Sequence, residues 1–286
     1  MTTTRQDTCE FVSTLATELS QREFELPPFP DTALRVREAL VKPDVTIDTV
    51  ARIVAAEPVL TSRLLRMANS VLLRRTTLEI TDLSVAISRL GFDVVRNTAI
   101  SMAMETSFSA PPGSAVSQEV DAMRKHSIHV SALSCILAMR RVASVRAEAA
   151  MLAGLLHDVG KLYILHRANR FPVLLEDMAQ LEELLVTWHC GVGRTIVERW
   201  GFPATIAAAV DEHENLRREH SGEPDLTDVV QIANLMVNLQ DAGEEALQEI
   251  DSLPVCRMLH LDHTALRTIQ QESEQELHCM EQALGG

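Results

Sequence analysis

The sequence predicts an all-α protein, and three observations carry that prediction. Aromatic side chains are scarce, with seven Phe, two Trp and one Tyr among 286 residues. Leu, Ala and Val dominate instead, a balance that suits helix packed on helix better than a sheet rich in β-branched and aromatic residues. Capping residues, prolines and glycines recur where helix starts and stops are expected. Between them, apolar residues follow three- and four-residue spacing, not alternation. A hydrophobic content of 46% gives enough core for one large domain or two smaller ones.

The elements follow in chain order. Residues 8–108 read as several short helices. Thr46 is placed to cap a segment through Ala56, with Asp48 in the first turn where the helix dipole favours an anion. Pro58 resets the chain before Leu60, Leu64, Leu65 and Ala68. Thr81 or Asp82 caps Leu83 to Leu90, where Val85, Ala86, Ile87 and Leu90 keep helical spacing and Gly91 suits the C′ position. The run Ala110-Pro111-Pro112-Gly113-Ser114 cannot continue a helix and reads as a linker. Six amphipathic segments come after it: Gln118 to Val142, Ser144 to Val159, Ala179 to Trp188, Gly191 to Trp200, Ala204 to His213 and Asp225 to Leu239. An acidic tail from Asp241 ends in a helix expected over Leu261 to Leu284. No repeat of fixed period is present.

Charge and cysteine usage narrow the function classes. A formal charge of -14 repels phosphate backbones. The doublets Arg74-Arg75, Arg140-Arg141 and Arg217-Arg218 are too dispersed for a basic stripe, so no direct nucleic-acid contact is expected. Cys9, Cys135, Cys190, Cys256 and Cys279 are odd in number and lack C-x-x-C spacing, which fits reduced thiols. Met1 to Glu10 is polar, and no stretch reaches the roughly 18 apolar residues of a membrane span. A cytoplasmic protein without membrane contact is expected.

The chemistry concentrates at His157-Asp158, which interrupts the apolar run Met151-Leu152-Ala153-Gly154-Leu155-Leu156 and precedes Val159-Gly160-Lys161. A carboxylate buried there costs several kcal/mol unless it is paired, hydrogen-bonded or bound to a metal. His126, His189, Glu212 and His213 lie on or beside other expected helices and are the further candidate ligands. Helical neighbours stand about 100° apart, so His157 and Asp158 need partners from elsewhere to close a shell. Such donors suit Fe, Mn or Zn, which activate water against a phosphodiester. Lys161 then neutralises a phosphate, or simply pairs with Asp158. The competing reading is a metal-free hydrogen-bond network that locks a helix crossing. Taken singly, His126, His189 and His213 each fit a structural role. Trp188 and Trp200 read as core anchors, and Cys190 as a small apolar filler.

The order of these motifs resembles the HDOD proteins, signalling-associated relatives of the HD phosphohydrolases. The first half carries Leu26-Pro27-Pro28-Phe29-Pro30, Ala56-Glu57-Pro58-Val59-Leu60, Leu64-Leu65-Arg66-Met67-Ala68-Asn69-Ser70 and Ala86-Ile87-Ser88-Arg89-Leu90-Gly91. The second half carries His126-Ser127, Ala153 to Lys161 and Trp200-Gly201-Phe202-Pro203. The resemblance spans roughly residues 26 to 240 and implies a two-lobed multi-helix fold with a degenerate HD-type core. The expected division is an N-terminal helical extension (1–25), an N-terminal helical lobe (26–110), a linker (111–118), an HD-like helical lobe (119–240) and an acidic C-terminal helical segment (241–286). In the place of the late aspartate of HD enzymes the chain carries Asn234, a neutral and weaker ligand. The Gly-Tyr-Pro signature of HD-GYP phosphodiesterases is replaced by Ser221-Gly222-Glu223-Pro224 after Glu212-His213-Glu214. The resemblance thus implies a non-enzymatic signalling module that contacts a partner protein, with Asn69 and Ser70 offered as one recognition point against a capping role. The alternative is a metal-dependent phosphohydrolase of a nucleotide or cyclic dinucleotide, in which Lys161 stabilises phosphoryl oxygens.

Overall fold

A computed structural model of the chain describes residues 11–18, 20, 31–69, 79–110, 113, 114, 116–169, 171–240 and 248–285, and every regular element among them is helical. These residues form two compact units, neither contiguous in sequence: residues 28–107 with 261–286, and residues 1–27 with 108–260. The Leu26–Pro30 motif, Ser70, Arg74-Arg75 and Cys9 lie outside the described residues, as do Pro111 and Pro112 of the expected linker.

In the unit built on residues 28–107, local signals set the helix starts. After α1 (residues 11–18), which belongs to the other unit, come α2 (Asp31–Leu40) and α3 (Ile47–Ala55). The Thr46 hydroxyl caps α3 by accepting the N–H of Thr49 at 3.2 Å. Pro58 occupies the first turn of α4 (Pro58–Ala68), where its missing N–H is no loss. Asp82, not Thr81, caps α5 (Leu83–Leu90) through the N–H of Val85 at 2.9 Å, and Gly91 follows at φ 80°, a backbone that favours glycine. α6 (Phe92–Ser107) completes the run. Val50, Val54, Leu60, Leu64, Ala86 and Ile87 are fully or almost fully buried in the shared core. Asn69 directs its amide to backbone: Nδ2 donates to Leu65 O and Ile80 O, and Oδ1 accepts from Ile80 N.

The end of the chain belongs to this same unit. The expected single helix over Leu261 to Leu284 is two helices, α14 (His263–Glu272) and α15 (Glu274–Gly285), broken at the buried Ser273. Arg63 explains the attachment. Its guanidinium grips both oxygens of Glu105 at 2.7 and 3.0 Å and donates to the Leu284 carbonyl at 2.9 Å.

The other unit holds the long helices. α7 (Ser117–Arg141) packs along α8 (Ala147–Leu156), and Ser131 Oγ donates to Met151 O at 2.6 Å across that crossing. The helix expected over Ser144 to Val159 is interrupted at His157 and Asp158, after which α9 (Val159–Ala168) begins. The two segments expected over Ala179 to Trp188 and Gly191 to Trp200 are one helix, α10 (Met178–Arg199), so His189 lies inside a helix and not before one. Glycine survives there because the packing demands it: a Cβ at Gly193 would meet Gly160 N at 3.3 Å and Val210 Cγ1 at 2.8 Å. α11 (Ala204–Glu212), α12 (Leu226–Asn238) and the short α13 (Pro254–Leu259) complete the unit, whose core includes Leu133, Ile136, Leu156, Tyr163, Ile196 and Val230. Trp200 is buried, as expected of a core anchor, whereas Trp188 is only half-buried.

Candidate metal centre

Asp158 stands at the head of α9. Its carbonyl accepts the N–H of Lys161 at 2.9 Å and starts the helix, yet its carboxylate makes no cap bond. That carboxylate points into the unit, with its side chain 1% exposed. Four histidines from four segments meet it: His126 from α7, His157 beside it, His189 from α10 and His213 at the end of α11.

The two carboxylate oxygens face different surroundings. Oδ2 accepts from Lys161 Nζ at 2.9 Å and lies 3.2 Å from His157 Nε2 and 3.7 Å from His126 Nε2. His126 Nε2 in turn donates to Asn234 Oδ1 at 3.0 Å and stands 3.2 Å from His157 Nε2. At this half the Lys161 ammonium answers the carboxylate and the Asn234 amide oxygen takes the His126 proton, but His157 Nδ1 donates to Gly154 O at 2.7 Å, so the neutral ring turns a lone pair at Nε2 toward Oδ2, and His126, His157 and Asp158 stand close enough together to hold an ion. Asn234 therefore sits at the cluster, as its place in the sequence suggested.

Oδ1 is different. It has no hydrogen-bond partner, although His213 Nε2 is 3.4 Å away and His189 Nε2 3.6 Å away. The reason lies in the tautomers. His213 Nδ1 donates to Val210 O at 2.9 Å and His189 Nδ1 to Leu185 O at 2.7 Å, so in the neutral rings each Nε2 carries a lone pair. Those two nitrogens face one another at 3.3 Å. Lone pairs and an orphan anionic oxygen converging in a buried space fit a cation, and imidazoles fixed by backbone carbonyls are how proteins orient metal ligands. The donor set thus fits a divalent ion at the Oδ1 half.

Charges at the cluster follow from burial. It is the main cause lowering both His126 and His189 to about 4 from 6.5, so both rings are neutral near pH 7. For Asp158, burial is the largest single influence and works against the charge, but the Lys161 ammonium, with His157 and His213 whenever their Nε2 carries a proton, outweighs it and holds the carboxyl well below its ordinary range. Burial, reinforced by Glu214 and Asp158, pushes the Cys190 thiol up to about 12.

Glu212 is a correction. Expected among the ligands, it gives Oε2 to Arg218 Nε at 2.7 Å instead. α11 ends at Glu212 and the chain turns through His213, so the next carboxylate is the one brought round. Glu214 Oε1 lies 3.6 Å from His213 Nε2, 3.9 Å from His189 Nε2 and 3.8 Å from Lys161 Nζ. The acidic residues flanking His213 on both sides were the available signal, but the facing one was not readable. Cys190, expected as a filler, holds Sγ 3.3 Å from His189 Nε2. A further group, His220 with Asp225 and Asp228, is already filled: the Arg218 guanidinium bonds Glu212, Asp225 and Asp228 and clamps the start of α12.

Residues 26–216 match the family model of the HDOD domain. The chain belongs to the HDOD family. Among solved structures, this HDOD chain is similar to a candidate metal-dependent phosphohydrolase of Shewanella amazonensis SB2B, with 23% identity, a TM-score of 0.81 and coverage of 98% of this chain and 99% of that one. It is also similar to an HDOD domain protein of unknown function from Geobacter sulfurreducens, with 25% identity, a TM-score of 0.68 and coverage of 95% and 97%. A candidate signal transduction protein of Marinobacter aquaeolei VT8 is 21% identical with a TM-score of 0.63, covering 99% of this chain and 66% of that one. An uncharacterised protein of Treponema pallidum (strain Nichols) is 22% identical over 253 residues, 82% of this chain and 46% of that protein. The HDOD chain thus spans about half the length of that curated relative. The Shewanella and Marinobacter likenesses, below 25% identity, bear on the fold.

Proposed function

We propose that this chain is a non-enzymatic HDOD regulatory module that acts by contact with a signalling protein in the cytoplasm. One observation supports this above the rest: at the Asp158 Oδ2 half the Lys161 ammonium already answers the carboxylate at 2.9 Å, and the oxygen facing His126 at 3.0 Å is the neutral amide of Asn234 and not a carboxylate. Hydrolytic two-metal centres need both halves open, with oxygen anions to balance two divalent charges. Here a lysine ammonium stands where one of those charges belongs. The cluster then serves to hold α7, α9, α10 and α11 in register, and a ligand there shifts the module only through unequal affinity for two conformations.

The second reading is a metal-dependent phosphohydrolase of a nucleotide or cyclic dinucleotide, favoured by the convergence of His126, His157, Asp158, His189 and His213 on one buried point. In that reading the chain binds Fe, Mn or Zn, which supplies Lewis acidity, and Lys161 orients phosphoryl oxygens. Protein purified without chelator and supplied with Mn or Fe separates the two. The regulatory reading expects no turnover of bis(p-nitrophenyl) phosphate or cyclic dinucleotides, and a protein partner that remains bound when His157 and Asp158 are replaced in a folded variant. Metal-dependent turnover abolished by His157→Ala overturns it. Asn234→Asp, which restores a carboxylate beside His126, is expected to raise bound metal from one ion towards two per chain.

A further inference from the structure

We propose that Cys190 Sγ, His189 Nε2, His213 Nε2 and Asp158 Oδ1 form a thiolate-containing site for one soft divalent cation of the zinc class. The proposal rests on the reading above, in which the Lys161 ammonium takes the place of an ion at the Oδ2 half, and it names the ligand set and the metal chemistry of the Oδ1 half. Four observations carry it.

The ligand atoms of His189, Cys190 and His213 all lie within 4.8 Å of one another. Both imidazoles turn Nδ1 to a backbone carbonyl and aim Nε2 inward. The Asp158 oxygen aimed between them has no partner and belongs to a side chain 1% exposed. The separations also have the right size. A tetrahedral ion bound to nitrogen at about 2.0–2.1 Å sets its ligands about 3.3 Å apart. The observed separations are 3.3 Å between the two nitrogens, 3.4 Å from His213 Nε2 to Oδ1 and 3.6 Å from His189 Nε2 to Oδ1. Cys190 Sγ is 3.3 Å from His189 Nε2 and within 4.8 Å of a ring nitrogen of His213, so it is the donor offered for the remaining corner.

Sulfur decides which metals enter. A thiolate beside two imidazoles prefers zinc and other thiophilic divalent ions over magnesium, calcium or manganese. As the metal–sulfur bond forms, the thiol proton leaves to solvent, and the site gains one negative charge that the ion balances. Because Asp158 heads α9, His189 and Cys190 lie on α10 and His213 ends α11, one ion ties three helices together.

Cobalt(II) titration of the metal-free full chain tests the proposal, read by absorption and by metal analysis. The expected result is one ion per chain, tetrahedral visible bands and a sulfur-to-cobalt charge-transfer band in the near ultraviolet. Cys190→Ser and Cys190→Ala, checked for folding by circular dichroism, lose the charge-transfer band and bind roughly tenfold or more weakly. Cys135→Ser, which alters a buried thiol elsewhere on α7, keeps the band. Cobalt bound without that band, a band that survives in both Cys190 variants, or no binding at all overturns the proposal. Two ions per chain with the band lost in Cys190→Ser supports sulfur ligation and overturns the reading that Lys161 takes the place of an ion at the Oδ2 half, on which the regulatory function rests.

Discussion

Asp158 keeps its charge under complete burial because the Lys161 ammonium donates to Oδ2 and the facing imidazoles add to it whenever their Nε2 is protonated. Lys161→Met removes the ammonium that Oδ2 accepts from. Removing one partner of a buried ion pair costs about 3–5 kcal/mol; Lys161 is itself 16% exposed, which places the expected loss at or below the lower end. Urea midpoints of the metal-free protein check this, and added zinc is expected to restore part of the loss. A second residue-scale test concerns His220, whose ring is paired with Asp228 at 2.8 Å in a setting that also holds Arg218 and Asp225. The bond to Asp228 raises its pKa above the ordinary 6.5. A group with a raised folded pKa stabilises fully below its unfolded value and loses that contribution as pH rises through the folded one. His220→Gln is therefore expected to lower stability at about pH 5.5 and to be neutral at about pH 9. Because solvent reaches the pair from the His220 side, 22% exposed, the effect is discounted to below about 1 kcal/mol. The sequence made His157-Asp158 legible because a charged pair broke an apolar run. It could not separate Glu212 from Glu214, since which carboxylate faces inward depends on where α11 stops.

Between elements, the close approach of α9 to α10 sets the geometry of the cluster. A Cβ at Gly160 would fall 2.0 Å from the His189 carbonyl oxygen and 2.8 Å from Gly193 N, both backbone atoms. Gly160→Ala must push the two helices apart and with them Asp158 and His189. Overpacking of this kind costs about 1–3 kcal/mol or more. Gly193→Ala first meets a side-chain methyl, Val210 Cγ1 at 2.8 Å, and is expected to cost less. Comparison of the two variants by urea unfolding and by zinc affinity tests this, with Gly160→Ala weaker in both. Caps and prolines made most helix starts readable, as at Thr46, Pro58 and Asp82. The misreadings lie where packing overrides propensity. The break expected between Trp188 and Gly191 lies inside α10, and no break was expected at His157 and Asp158, where α8 gives way to α9.

At the scale of the whole chain, the last 26 residues complete the unit formed by residues 28–107. Leu277, Met280 and Leu284 of α15 are buried, and Arg63 holds the Leu284 carbonyl. Each such side chain contributes about 1.5–3 kcal/mol when buried. A chain ending at residue 260 is expected to lose hydrogen-exchange protection in α4 and α6, while the unit that holds Asp158 keeps its metal affinity. Loss of both together would contradict that separation. The sequence by itself determined the all-helical class, most helix starts and the residue types of the cluster, because helical period, capping chemistry and a charge inside an apolar run are local properties. Tertiary structure alone decided which carboxylate faces the histidines, that Lys161 meets Asp158 Oδ2 and Asn234 meets His126 while Asp158 Oδ1 is left orphaned, and where the last helices attach. Those outcomes depend on distances between segments far apart in sequence, and a periodic pattern carries no record of them.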